Sequence, residues 1–64
     1  MIEETQWINY LDLVEYFTIE KCYRSGFAIC GYSSKNSNVS YIIVYANNKE
    51  LLYVWADIHN IHLT

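Results

Sequence analysis

The sequence predicts an α+β domain, with an N-terminal amphipathic helix packed on one face of a three- to four-stranded antiparallel β-meander. Three observations carry this expectation. A helical period runs from about Glu3 to Phe17, where Trp7, Tyr10, Leu11, Val14 and Phe17 recur at the i, i+3, i+4, i+7 spacing and Asn9, Asp12 and Glu15 mark the opposite side. Two runs, VSYIIVYA and LLYVW, fill most of Val39–Trp55 with apolar, aromatic and β-branched residues and no Gly or Pro. Gly26, one of only two glycines, separates two further strand-like arms.

In chain order, Thr5 is a candidate N-cap, although Ile8 stands where a capping box would have Glu. The β-branched pair Thr18-Ile19 ends the helical preference. Ile19–Arg24, a turn at Ser25-Gly26, and Phe27–Tyr32 read as a hairpin. Its first arm carries Glu20, Lys21 and Arg24, which suits a solvated edge strand, while FAICGY suits an interior one. Ser33–Asn38 reads as a polar loop. Val39–Ala46 and Leu51–Trp55 then form the predicted central hairpin, and Ala56–Thr64 has no decisive period.

The turn of that central hairpin decides which side chains share a face. A three-residue Asn47–Lys49 loop brings Tyr41, Tyr45, Tyr53 and Trp55 together, whereas a two-residue Asn47-Asn48 loop divides them. The three-residue form is favoured, because it sets the smaller Ile42, Val44, Leu52 and Val54 against the bulky Trp7, Tyr10 and Phe17 of the helix. Tyr41, Tyr45, Tyr53 and Trp55 are therefore the predicted binding residues. Tyr and Trp join apolar area to a polar tip, the combination enriched at protein interfaces.

Composition narrows the function classes. The 64 residues fit a single domain, Met1–Thr64, and a chain this short buries only about 60 % of its unfolded surface. Yet 53 % of the residues are hydrophobic and 17 % aromatic, an apolar surplus that points to a homo-oligomer, in the simplest case a dimer, or to a protein target. Net charge is −3, and Lys21, Arg24, Lys35 and Lys49 stand singly, so no basic stripe exists for a nucleic acid. Stacking aromatics on a sheet keep single-stranded nucleic acid as the rival reading. A structural subunit of a homo-oligomer, with no separate target, is a further alternative.

Cys22, Cys30, His59 and His62 have the chemistry of a zinc site, but seven residues between the cysteines is a poor spacing, and no metal or other cofactor is expected. Ser33, Ser34 and Ser37 read as polar loop residues, no carboxylate pair stands apart, and no Gly-rich loop could cradle phosphate, so an enzyme is not expected. No apolar run reaches the roughly 18 residues of a membrane span. With an acidic N-terminus and two cysteines, the expected location is cytoplasmic. Size, mild acidity and aromatic surplus together suit a small inhibitor or neutralising partner, of the phage anti-defence or antitoxin and immunity type.

Overall fold

Strand pairing, rather than helical period, organises the first half of the chain. The computed structural model describes residues 2–22, 26–33 and 36–64. It contains strand β1 (Ile2–Glu4), a 3-10 helix (Trp7–Leu13), β2 (Tyr16–Cys22), β3 (Gly26–Ser33), β4 (Asn36–Ala46) and helix α1 (Lys49–Ile58). All neighbouring strands pair antiparallel in the order β1-β4-β3-β2. Strands β2, β3 and β4 form a meander, and β1 adds to the free side of β4.

The N-terminal helix over Glu3–Phe17 does not form. Ile2–Glu4 pairs with Val44–Ala46, and Tyr16 onward pairs with β3, so both ends of the expected helix are drawn into the sheet. Only Trp7–Leu13 remains helical, in the tighter 3-10 form, with Asn9 N–H donating to the Gln6 carbonyl three residues back. Isolated helices of this length are marginal in water. Asn9 and Asp12 compete locally for backbone hydrogen bonds, and Tyr16–Ile19 is β-branched or aromatic throughout.

The second correction concerns Leu51–Trp55, which is not a strand. Asn48 caps α1, its side-chain oxygen accepting from Leu51 N–H at 3.0 Å, and Glu50 favours the positive end of the helix dipole. Asn47–Lys49 is therefore a helix entry and not a hairpin loop. At the far end Asn60 takes a positive φ of 57°. Ile61 N–H donates to the Ala56 carbonyl at 2.8 Å and Asn60 N–H to Asp57 at 3.2 Å, the bond pair of a Schellman cap. The Ser33–Asn38 loop is also shorter than expected, since Ser33 ends β3 and Asn36 begins β4; Ser34 and Lys35 lie outside the described residues, as do Tyr23 and Arg24 of the predicted first arm and Ser25 of the turn.

Helix α1 lies on one face of the sheet. Its Leu52, Trp55 and Ala56 pack against Ile29, Ile43, Val44 and Ala46, with Trp7 of the 3-10 helix closing the same core. Phe17, Ile19, Phe27, Tyr41, Ile61 and Leu63 border it. A bridge between Phe17 and Leu63, and two bonds from Thr64 to the Phe17 carbonyl, fasten the C-terminal tail along the outer edge of β2. No helix among the described residues is long and apolar enough to cross a membrane.

Candidate binding face

The opposite face of the sheet has no covering layer among the described residues. Cross-strand partners point the same way, so the register fixes its membership. Strand β2 contributes Tyr16, Thr18, Glu20 and Cys22; β3 contributes Gly26, Ala28, Cys30 and Tyr32; β4 contributes Ser40, Ile42 and Tyr45; and β1 contributes Glu3. Strand β3 alternates large and small over Phe27–Cys30, sending Phe27 and Ile29 to the core and Ala28 and Cys30 to this side. Small side chains on the middle strand and larger ones on its neighbours make a groove of about 710 Å³, floored by Ala28 and Cys30 and walled by Ile42 and Tyr45 on one side and Glu20 and Cys22 on the other.

The floor is already shielded, with Ala28 at 2 % exposure and Cys30 at 8 %, while the wall residues Ile42 and Tyr45 stand 40 % and 38 % exposed. Tyr16 and Tyr32, opposite one another on the same face, stack with ring centroids 5.2 Å apart and planes 11° apart. Tyr32 Oη and Thr18 Oγ1 both donate to Glu20 Oε2, the latter at 3.0 Å, which holds that carboxylate at the wall. The bond to Glu20, with smaller effects of burial and of the Glu20 charge, pushes the Tyr32 hydroxyl up to about 12. Burial first, then the negative charge of Glu20 and of Cys22, pushes the Cys30 thiol up to about 11. Cys30 is thus a neutral groove-floor residue at physiological pH, not a nucleophile.

The four predicted binding residues are not brought onto one sheet face. Tyr45 alone lies on the uncovered face, opposite Ala28. Tyr41 lies opposite Gly31 on the helix-covered side, stacked on Tyr10 at 4.9 Å between ring centroids. Tyr53 and Trp55 are on α1, the first exposed and the second buried against Trp7. The physical cause within β4 is a β-bulge: Ile29 pairs with Val44 and Cys30 with Ile42, so Ile43 is an extra residue and the alternation of β4 changes phase across it. Thr5 pins the bulge. Its N–H and Oγ1 reach the Ile43 carbonyl at 3.0 and 2.9 Å, and the same Oγ1 reaches the Ile42 carbonyl at 2.7 Å.

Sequence reasoning missed Tyr16, Glu20, Ala28, Tyr32 and Ile42 as site residues. The large-small alternation of FAICGY was the available signal for the groove floor. No residue type announced the bulge.

Among the metal candidates, Cys22 pairs with Gly26 and Cys30 with Thr18, four residues apart along their strands rather than opposite. Both face the groove. His59 instead sits on the helix side, 4.4 Å from the Trp55 ring and 5.3 Å from that of Trp7, and His62 is exposed. The sheet separates the thiols from His59, and no group of three or more potential ligands occurs among the described residues.

On the core side, Trp7 Nε1 donates to Glu4 Oε1 at 2.9 Å. The two indoles, Trp7 foremost, hold the Glu4 carboxyl below its usual range, with help from the nearby His59 charge. Trp55 Nε1 is buried and has no hydrogen-bond partner among the described residues. Compared with protein-family models, curated proteins and solved structures, the chain finds no significant match.

Proposed function

We propose that this chain is a non-enzymatic protein-binding module that seats a target on its uncovered sheet face. One observation carries the reading: a groove with exposed Ile42 and Tyr45 walls over a small-residue floor, on the sheet face that the described residues leave bare. Sheets in small domains bury the apolar side of at least one face, and a second apolar face needs a second cover. Within this class, the size, mild acidity and aromatic content favour a cytoplasmic inhibitor or neutralising partner. The same face argues against the rival single-stranded nucleic-acid binder, because Glu3 and Glu20 put negative charge where phosphates would lie.

Comparative capture from a cytoplasmic extract tests the proposal. Wild type, Ile42→Lys and Val54→Glu serve as baits, each first checked for cooperative thermal unfolding. The expected result is a protein retained by wild type and Val54→Glu but lost with Ile42→Lys. Retention by all three, or by none, overturns it.

A second surface supports self-association. Tyr53, Val54 and Ile58 project from the outer side of α1 and are all exposed. We propose that two copies meet there. Light scattering across micromolar concentrations should give a dimer for wild type and a monomer for Val54→Glu, whereas a wild-type monomer throughout removes this second reading and leaves target binding alone.

A further inference from the structure

We infer that the groove is a seat for an amphipathic helix carrying Lys or Arg along its flanks, supplied by a partner protein. This rests on the protein-binding reading above and goes on to name the chemistry of the occupant.

The backbone decides between a helical and an extended occupant. Strand β3 is paired on both sides, with β2 and with β4, so its donors and acceptors are committed to the ladder. A segment lying on the face of such a strand receives no backbone hydrogen bonds from it. An extended peptide would therefore bury donors and acceptors of its own without partners. A helix brings its backbone bonds with it. The dimensions agree, since the strands flanking β3 are about 10 Å apart by two interstrand spacings, close to the roughly 10 Å width of a helix. Ala28 and Cys30 on the floor let a helix backbone come close, while Ile42 and Tyr45 offer apolar area to its inward stripe.

Charge selects the flanks. Glu3 stands on the β1 side of the groove and Glu20 on the β2 side, the latter held in place by Tyr32 and Thr18. Among the described residues that line the groove, Lys21 is the one basic residue, and it lies on the opposite parity of β2. A helix crossing between the two carboxylates meets negative potential on both sides, and basic flanks are the complement.

The same argument removes helix α1 of a second copy from the groove. The exposed apolar stripe of α1, Tyr53 and Val54, is flanked by Glu50 and Asp57. Docked into the groove, it would set acid against acid.

Selection from a displayed library of unbiased peptides tests the inference. Peptides of about 15 residues, roughly 22 Å of helix, would be selected on wild type and then measured against Ile42→Lys and Glu3→Lys. Both substitutions are at exposed positions, so folding is retained and can be verified by thermal unfolding.

The expected outcome is enrichment of apolar residues at i, i+3, i+4 and i+7 with an excess of Lys and Arg. Each variant should then weaken binding by about tenfold or more, as loss of a central contact or reversal of a rim charge does. Enriched peptides that depend on Ile42 but alternate with period two, or that are acidic, overturn the helix while leaving the groove a protein-binding site. Peptides indifferent to both variants overturn the groove itself. Absence of any enrichment overturns the inference, because a helix seat must take an isolated helix, and extract capture then decides the broader reading alone. A wild-type dimer that Ile42→Lys dissociates would put a second copy in the groove and likewise sink the proposal.

Discussion

Gly31 lies on the core side of β3, where a Cβ atom built on it would come within 2.7 Å of Val14 Cγ2 and 2.8 Å of Cγ1. The glycine is required by this close approach of Val14 and not by its backbone angles. Gly31→Ala should destabilise the fold by about 1–3 kcal/mol through overpacking. Val14→Ala in the same chain should recover most of the loss, and denaturant unfolding of the two single variants and the double variant measures the recovery.

Glu4 offers a test of a different kind. Its carboxylate is stabilised in the fold by the indole N–H of Trp7 and by the nearby Trp55 and His59, so its folded pKa lies below the ordinary 4.5. A depressed pKa means that the ionised form binds the fold better. That contribution is present above pH 4.5 and disappears as pH falls through the lower folded value. Unfolding midpoints between pH 6 and pH 3 should therefore fall less steeply for Glu4→Gln than for wild type. Cys30 adds a chemical readout. With Cys22→Ser as background, its alkylation at pH 8 should be about a hundredfold slower in the folded than in the unfolded protein, because the fold raises the thiol from 9 to about 11.

At the scale of elements, β3 and the Ile19–Cys22 part of β2 were legible from two strand-like arms on either side of Gly26, whereas Tyr16–Thr18 of β2 falls at the end of the predicted helix. Helix α1 was not legible, because LLYVW satisfies a strand composition equally well. The residues that settle it lie at its ends and at helical spacing. Asn48 caps the start, Asn60 takes the left-handed position after the end, and Leu52, Trp55 and Ala56 recur at i, i+3, i+4. The opposite holds for Glu3–Phe17, where a helical period is present but strand partners at both ends outweigh it. Local pattern lost in each case to what the segment could pair with or pack against.

The facing of α1 gives the direct check. Leu52→Ala, at a fully buried position, should cost about 2–5 kcal/mol. Val54→Ala, two residues on and exposed, should change the stability of the monomer, measured at dilution, by no more than about 0.5 kcal/mol. A strand over Leu51–Trp55 would put both residues on one face and make the two variants alike.

For the whole molecule, an apolar surplus in a short chain signals more apolar surface than one small core can bury, and one sheet face is left bare among the described residues. Which side chains occupy that face was not legible. Their placement depends on one helix lying where a strand was expected and on one bulge, and neither leaves a mark in period-two alternation. Thr5 illustrates the difficulty: a residue read as a helix cap serves instead to hold two strand carbonyls, 37 and 38 positions along the chain.

The bulge has a consequence for how this chain can change length. Because Ile43 has no cross-strand partner, its deletion would leave Val44 opposite Ile29, Ile42 opposite Cys30 and Tyr41 opposite Gly31. Every other paired side chain of the strand would keep its face, and the loss would be that of one buried isoleucine and of the carbonyl that accepts from Thr5. A deletion or insertion elsewhere in the paired part of β4 would instead turn over the side chains on one side of it, exchanging core residues for groove residues. In evolutionary terms, Ile43 is a position at which β4 can lose a residue while the facing of its paired side chains is inherited intact.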